Sequence, residues 1–463
     1  MAEVSGLRSN QIQLKPETTM KPTNILSTLA LGMALTSAAP VMAQTDADKV
    51  ILYAQDGSVI DEYSCTDIIR ISHDQNKTNV FTNTFGEDIP MEYDNSQISR
   101  VEFKFADDDN VKVNISDIQL ADRNASDATK ILYAYLKYYY GNKIVTASMA
   151  NVNWNTSCAD HAYKQTGTYP AINCFDYIHI PFDGDWINYS DITPVTDWAK
   201  KGGIVSLMWH FNVPKTEQDF KDKNYNNITY NPDETTWNMD NIYVDGTWEN
   251  QWFYDQMDKV AANILKLQDA GIVALWRPFH EASGNMYNTQ GWPKKAWFWW
   301  GNNGAEAYKK LWKTMKDYFE AKGIHNLIWI WTGSAKTATN DADTPYYPGD
   351  DQVDIVGADC YGMTAAELAQ QYNDLSKLYP SKMITLAECG NGIEDKGGHN
   401  VVTKTMPKIS EMWAAGAKFL YFMPWSDYYY ETGASTTNCM FPMDYWTDAM
   451  QMQSVTMSNW GKK

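Results

Sequence analysis

The sequence is short of positive charge. Its 463 residues include 38 Lys and Arg against 57 Asp and Glu, which gives a formal net charge of −19. Neutralising the phosphates of a nucleic acid or an anionic membrane requires clustered Lys and Arg, and this chain lacks such clusters. We therefore expect no nucleic acid as a partner, whereas a neutral polymer raises no electrostatic objection.

Cysteine and histidine are also scarce. The chain has 7 His and 6 Cys, with no CxxC pair, so a zinc site has little support and we expect no metal or organic cofactor. Sequence cannot choose among the many pairings of six cysteines. Cys158 with Cys174 is the disulfide we favour, because these two bracket one loop. Cys360 and Cys389 follow adjacent predicted strands and could be close, although buried thiols explain them equally well.

Long apolar runs are missing except near the start of the chain. Ile25 to Ala39 is apolar, follows Lys21 and is followed by Val41-Met42-Ala43, which is the pattern of a cleavable signal peptide. The pattern fits better if translation begins at Met20. We assign residues 1–43 to a leader and signal peptide and expect a secreted or periplasmic protein. Further along, no stretch approaches the ~20 apolar residues of a membrane span.

Residues 44–123 read as a small all-β module. Short alternating segments between Lys49 and Phe105 are separated by Asp-Gly and Asn-rich turns. An acidic stretch, Asp107-Asp108-Asp109, leads out of the module, and we place its boundary near residue 123. Carbohydrate binding and a packing or spacer role both remain open for it.

Residues 124–463 alternate strand-like and helix-like patterns. Amphipathic segments such as Trp252 to Gln268 and Ala305 to Lys322 predict helices. The apolar runs that predict strands are Ile144 to Met149, Phe175 to Pro181, Gly203 to His210, Gly271 to Pro278, Leu327 to Thr332, Asp354 to Asp359, Met383 to Glu388 and Lys418 to Pro424. Eight such units predict an α/β fold, a (β/α)8 TIM barrel preceded by the small all-β module.

Two of the predicted strands deliver a glutamate at their carboxyl ends. The fourth run leads into Pro278-Phe279-His280-Glu281, and the seventh ends in Glu388. A single glutamate at such a place is more often a solvated surface residue. Two carboxylates on the active rim of a barrel, in a chain with 19 Trp and 29 Tyr, instead indicate glycoside hydrolysis, because sugars present flat C–H faces to aromatic rings.

The same residues carry a family resemblance. The blocks Trp276 to Glu281, Ala296 to Gly301, Asp359-Cys360-Tyr361 and Glu388-Cys389-Gly390 resemble glycoside hydrolase family 26, whose best-known members are endo-β-1,4-mannanases. Trp209 to Pro214 and Tyr421 to Trp425 resemble the ends of that family's third and eighth strands. The resemblance covers roughly residues 124 to 455 in ordered blocks. It implies a retaining hydrolase of β-mannan-type polysaccharide.

The resemblance also implies the chemical roles. Glu281 would be the acid/base and Glu388 the nucleophile of a double displacement, in which one carboxyl is protonated and the other ionised. Apolar rings such as Trp297 to Trp300 could raise the pKa of Glu281 by desolvation. A hydroxyl from Tyr361 could hold Glu388 ionised and aimed.

Five further residues resemble sugar contacts of the family. His210 and Asn212 resemble a polar pair at the sugar whose bond is cleaved, and Trp425 resembles the aromatic floor beneath that sugar. His280 resembles a residue that positions sugar and carboxylate, and Trp297 a ring on the leaving-group side.

Two departures bear on substrate specificity. The segment Met286 to Lys295 is inserted relative to shorter family members, and Ser426 stands where some mannanases carry arginine. Alternative interpretations are a β-1,3-1,4-glucanase, a β-1,3-xylanase, or a non-catalytic glycan-binding protein on a decayed barrel. The presence of both Glu281 and Glu388 argues against the last.

Overall fold

The structure is a computed structural model that describes residues 49–64, 67–73, 76–85, 89–104, 115–150, 153–166, 169–284, 295–334, 344–395, 400–425 and 455–456. Several features singled out in the sequence lie outside these ranges. They are the signal peptide of residues 1–43, the segment Met286 to Lys295 except its last residue, Ser426, Cys65 and Cys439. The chain divides into two compact units, one before and one after residues 112–113.

The first unit consists of two antiparallel sheets. Strands β1 (Lys49–Ala54), β2 (Val59–Ser64) and β6 (Ile98–Lys104) form one sheet in the order β2-β1-β6, and β3 (Ile68–His73), β4 (Lys77–Thr82) and β5 (Met91–Asp94) form the other. Val50, Leu52 and Ile98 are its buried apolar cluster. The alternating segments of the sequence therefore form the predicted β module.

The second unit begins upstream of the predicted boundary at residue 123. The backbone N–H of Ala121 donates to Asp354 at 2.7 Å, and the Asp122 carboxylate contacts the His325 ring at 2.8 Å. Both partners belong to the second unit, so residues just before the predicted boundary are anchored there by buried polar contacts.

The second unit is a closed barrel of eight parallel strands, as predicted. Its strands in chain order are β7 (Ile144–Met149), β8 (Ile172–Asp176), β9 (Ile204–Trp209), β12 (Ala274–Pro278), β13 (Leu327–Ser334), β14 (Ile355–Tyr361), β15 (Met383–Gly390) and β18 (Tyr421–Pro424). Each pairs in parallel with the next, and β18 closes the barrel on β7. Shorter strands are β10 (Val213–Pro214), β11 (Ile228–Thr229), β16 (Gly392–Asp395), β17 (Asn400–Lys404) and β19 (Val455–Thr456).

Helices surround the barrel. They are α1 (Asp127–Tyr139), α2 (Ser157–Thr166), α3 (Thr193–Lys200), α4 (Glu217–Lys221), α5 (Trp248–Asp269), α6 (Trp299–Asn302), α7 (Ala305–Ala321), α8 (Ala365–Leu378) and α9 (Ile409–Ala414). Single 3₁₀ turns occur at Ile180–Phe182, Pro232–Glu234, Met239–Tyr243 and Thr344–Tyr346. None of the helices in the described ranges combines the length and the apolar character that crossing a membrane requires.

Alternation along the strands separates two buried apolar clusters. In β9, Ile204 and Met208 belong to the cluster inside the barrel, whereas Val205, Leu207 and Trp209 belong to the cluster between barrel and helices. Successive side chains of a strand point to opposite faces, so each barrel strand contributes to both clusters. Strand positions of the inner set therefore direct their side chains toward the barrel axis and, at the carboxyl ends, into the barrel mouth.

Two expectations from the sequence are wrong in detail. The second strand was predicted as Phe175 to Pro181 but ends at Asp176, because that carboxylate accepts the backbone N–H of Ile178 at 2.9 Å and turns the chain. The favoured disulfide is absent, since Cys158 and Cys174 are both thiols in the described part of the chain.

Cys360 and Cys389 are also thiols. They lie directly opposite each other on β14 and β15, both in the cluster beneath the helices.

Candidate active site

A buried arginine joins two acidic strand ends at the barrel mouth. Arg277, near the end of β12, is 1% exposed and its guanidinium contacts Asp359 of β14 at 2.9 Å. The same nitrogen also hydrogen bonds to Glu388 of β15. A buried charge persists only when it is paired and hydrogen bonded. Arg277 therefore fixes the two carboxylates side by side on one rim of the barrel.

An irregularity in β15 turns Glu388 toward this arginine. Ile384 and Leu386 belong to the outer cluster, so a regular strand would place Glu388 on the outer face with them. Instead the pairing with β14 shifts, with Leu386 opposite Ala358 and Glu388 opposite Asp359. This β-bulge inserts Ala387 as an extra residue and re-aims the carboxylate into the barrel mouth.

Glu281 is held by a strained loop just beyond β12. Phe279 and Glu281 have φ angles of 48° and 50°, a left-handed conformation that non-glycine residues rarely adopt. Three hydrogen bonds hold this loop. The Glu281 N–H donates to the Thr332 carbonyl at 3.0 Å, Trp300 donates its indole N–H to the His280 carbonyl at 2.8 Å, and the Tyr308 hydroxyl donates to the Phe279 carbonyl at 2.9 Å.

The electrostatic environment of Glu281 favours its protonated form. Burial, followed by the charges of Asp359 and Glu388, raises the pKa of Glu281 well above its ordinary value. Arg277 contacts Asp359 and Glu388, so these two carboxylates have a cationic partner that supports their ionised forms.

Glu388 has the stronger support for its ionised form. Burial and the neighbouring Asp359 raise the pKa of Glu388 to about 7, while Arg277 and the Tyr361 hydroxyl act in the opposite direction. Tyr361 donates to the second carboxylate oxygen at 2.6 Å. His280 lies 4.0 Å away, and burial lowers its pKa well below the ordinary value, so its imidazole is neutral. The surroundings of Glu281 thus favour a protonated carboxyl, whereas the hydrogen bonds to Glu388 favour an ionised carboxylate.

A second polar group lies at the ends of β8 and β9. The His210 ring contacts the Asp176 carboxylate through Nδ1 at 2.5 Å, and its backbone N–H donates to the same side chain at 3.1 Å. The Asp176 carboxylate thus fixes the orientation of the ring and leaves Nε2 as the ring nitrogen that can contact a ligand. Asn212 donates its amide to the Ile178 carbonyl at 3.0 Å, which ties the loops after the two strands together.

Aromatic rings surround these polar groups. The His210 ring centroid lies 4.6 Å from that of His280 and 5.8 Å from that of Trp425, which is half-buried at the end of β18. Trp297 is also half-buried, and its backbone packs against Gly284, three residues after Glu281. Trp299 and Trp300 are buried core residues instead.

The predicted site residues thus fall into two connected groups. Contacts join Glu281, Glu388, Tyr361 and His280 around Arg277 and Asp359, and ring contacts join His210, His280 and Trp425. Asn212 lies outside these two groups and hydrogen bonds to the Ile178 carbonyl in the loop after β8. Trp297 contacts the loop of Glu281 through its backbone, which packs against Gly284.

Sequence reasoning missed Arg277, Asp359 and Asp176 as members of the site. Arg277 and Asp359 stood inside the quoted motifs, and a charged residue in an otherwise apolar strand was the available signal. Asp176 was hidden inside a strand predicted to continue past it.

Comparison with known proteins gives consistent matches. Residues 121–443 match the family model described as Glycosyl hydrolase family 26. The chain is 32% identical over 281 residues to mannan endo-1,4-beta-mannosidase A from Piromyces sp, a match that covers 58% of this chain and 42% of that relative. It spans about half the length of the curated relatives it matches, from 42% to 56% of the first three.

Solved structures agree with the sequence matches. The GH26 domain of an endo-beta-mannanase/endo-beta-glucanase from Prevotella bryantii is 47% identical, with a TM-score of 0.67, covering 74% of this chain and 99% of that one. A beta-mannanase from a symbiotic protist of the termite Reticulitermes speratus is 27% identical with a TM-score of 0.58, covering 74% of this chain and 97% of the other.

Proposed function

The chain belongs to glycosyl hydrolase family 26, and from that premise we propose that it is an exported endo-β-1,4-mannanase. The proposed substrate is mannan, glucomannan or galactomannan, and the proposed mechanism is retaining double displacement. Export rests on the signal-peptide pattern of residues 1–43. The substrate class rests on the relatives described above, which are mannanases.

One observation supports the mechanism above all others. The buried cation Arg277 contacts Asp359 and Glu388, while burial and the charges of those two carboxylates raise the pKa of Glu281 well above its ordinary value. Glu388 would attack the anomeric carbon as a carboxylate while Glu281 gives its proton to the departing glycosidic oxygen. Water, deprotonated by the same Glu281, would then release the sugar from Glu388 with net retention. Tyr361 would hold the attacking carboxylate in place.

The sugar contacts follow from the second group of residues. His210 would present Nε2 to a sugar hydroxyl, because Asp176 holds Nδ1. Trp425 would lie beneath the sugar whose bond is cleaved, and Trp297 would border the leaving-group side. His280, neutral and close to Glu388, would position that carboxylate and the sugar without adding charge.

The first experiment tests the substrate class. Purified enzyme is incubated in parallel with mannan, lichenan and β-1,3-xylan, and the products are separated by chromatography. We expect β-1,4-manno-oligosaccharides of several lengths from mannan and little release from the others. Preferential hydrolysis of lichenan or xylan would refute the mannanase assignment in favour of the corresponding alternative, and no hydrolysis would favour a binding protein.

The second experiment tests the roles of the two glutamates. Glu388→Ala removes the nucleophile, so activity should collapse for every leaving group. Glu281→Ala removes the proton donor, so an aryl mannoside with an acidic phenol should still give a phenol burst, followed by slow turnover. Azide should accelerate that turnover and yield a β-configured product.

Equal losses for both variants on all leaving groups, without burst or azide rescue, would refute the role assignment. An inverted product from the unmodified enzyme would refute the retaining mechanism itself.

A further inference from the structure

An exposed tryptophan follows the second barrel strand. Trp186 is 57% exposed and lies ten residues beyond the end of β8 at Asp176, after the turn Ile180–Phe182. Loops that follow barrel strands lie on the face where Glu281 and Glu388 are found. Trp186 thus stands on the catalytic side of the barrel, although none of the contacts described above includes it.

The loop that carries Trp186 is tightly held. Asp183 and Ile187 form a β-bridge, and the N–H of Gly184, whose φ is 86°, donates to the Ile187 carbonyl at 2.9 Å. The Asp183 carboxylate accepts the N–H of Tyr189 at 2.7 Å. Because the turn is already ordered, binding a ligand on its tip would cost little conformational entropy.

The ring of Trp186 has both an apolar and a polar neighbour. Its centroid lies 5.4 Å from that of Phe182 and 4.8 Å from the ring of His179, at an interplanar angle of 64°. His179 is half-buried. An indole that offers an apolar face beside an imidazole that can exchange a hydrogen bond matches a pyranose, which presents C–H groups on its face and hydroxyls on its rim.

This loop is continuous with the residues proposed to hold sugar. Asp176, which orients His210, also accepts the N–H of Ile178 at 2.9 Å, and Asn212 donates to the carbonyl of Ile178. His179 follows directly. The chain of contacts therefore runs from His210 through the end of β8 to Trp186 without leaving the catalytic face.

We propose that Trp186, with His179, forms a distal subsite that binds a sugar of the same β-glycan chain on the glycone side. The leaving group departs toward Glu281 after the fourth strand, whereas Trp186 lies beyond His210 on the side of the second strand. The inference rests on the proposed function and extends it. The subsite adds binding to longer substrates and leaves the chemical step unchanged.

The test compares Trp186→Ala with Trp186→Phe on β-1,4-manno-oligosaccharides from mannotriose to mannohexaose. For Trp186→Ala we expect kcat/KM on mannohexaose to fall about tenfold, equal to ~1.4 kcal/mol of lost binding, with no change on the shortest oligosaccharide cleaved. Trp186→Phe keeps an aromatic face and should retain most of the activity. With reducing-end-labelled mannohexaose, cleavages that place several sugars on the glycone side should decrease.

Tyr138→Ala is the matched control. Tyr138 is another exposed aromatic residue, 43% exposed, near the end of α1 and before β7 begins, so it lies at the opposite end of the barrel. Its variant should match the unmodified enzyme at every length. Equal losses for Trp186→Ala at all lengths, or no loss at any length, would overturn the subsite while the mannanase stands. An unmodified enzyme inactive on all these substrates would overturn both.

Discussion

Removing the cation at the centre of the site should destabilise the protein in a pH-dependent way. Arg277 is 1% exposed and contacts Asp359 and Glu388, so Arg277→Met leaves buried carboxylates without a positive partner. Removing one partner of a buried ion pair typically costs ~3–5 kcal/mol. We expect a loss of that size in the free energy of unfolding of the barrel at pH 8.

The sign of the pH dependence follows from the same contacts. The penalty applies only to ionised carboxylates. The pKa of Glu388 is raised to about 7 even with Arg277 present, and it should rise further without the cation. A carboxyl whose folded pKa exceeds its unfolded value loses stability as pH rises, by ~1.4 kcal/mol per unit between those two values. The difference between variant and unmodified protein should therefore shrink from pH 8 to pH 5.

Urea unfolding followed by tryptophan fluorescence at pH 5 and pH 8 measures both effects. Arg123→Met is the matched control, because it removes the same charge from an exposed position and should change stability by less than ~0.5 kcal/mol. Arg277→Lys, which keeps the charge, should lose less than Arg277→Met. If the loss were the same at both pH values, lost packing and not unpaired charge would be responsible, and the assignment of ionised partners to Arg277 would be refuted.

Two further predictions concern Trp425 and the domain boundary. Trp425→Ala should lower turnover ~100-fold while largely preserving the melting temperature, since the ring is half-buried. A loss of unfolding free energy near the ~3–5 kcal/mol typical of a buried Trp would mean that the ring belongs to the core. Deleting residues 44–112 should leave the barrel folded and active on soluble mannan. Extending the deletion to residue 123 should lower the free energy of unfolding by a further ~1–3 kcal/mol, because Asp354 loses the hydrogen bond from the Ala121 N–H. Loss of soluble expression in the shorter deletion would show that the β module is integral to the fold, and equal stability of the two would contradict the role of Ala121.

The parts of the fold that sequence predicted well are those with a strong local pattern. Apolar runs such as Ile144–Met149 and Leu327–Ser334 marked barrel strands, and the helical spacing of Trp248–Asp269 marked α5. The end of the second strand was predicted too late in the chain. Asp176 ends this strand by accepting the backbone N–H groups of Ile178 and His210, and hydrophobic periodicity gives no sign of such contacts.

The geometry of the site was less accessible for the same reason. Glu388 was found because it ends an apolar run, but the bulge at Ala387 that aims it depends on the register with β14. The contact between Arg277 and Glu388 joins residues far apart in the chain. The left-handed conformation of Glu281 is sustained by hydrogen bonds from neighbouring elements, so no propensity of its own sequence indicates it.

The close backbone contacts around Glu281 also bear on how substrate range can change in evolution or by engineering. A Cβ on Gly301 would lie 1.6 Å from the Ala282 carbonyl oxygen, and one on Gly284 would lie 2.7 Å from the Trp297 nitrogen. At these two glycines, the chain segments before and after residues 285–294 are in close backbone contact. Since these contacts fix Glu281 on one side and Trp297 on the other, loops of different length could be exchanged between them while the Glu281 carboxyl keeps its position.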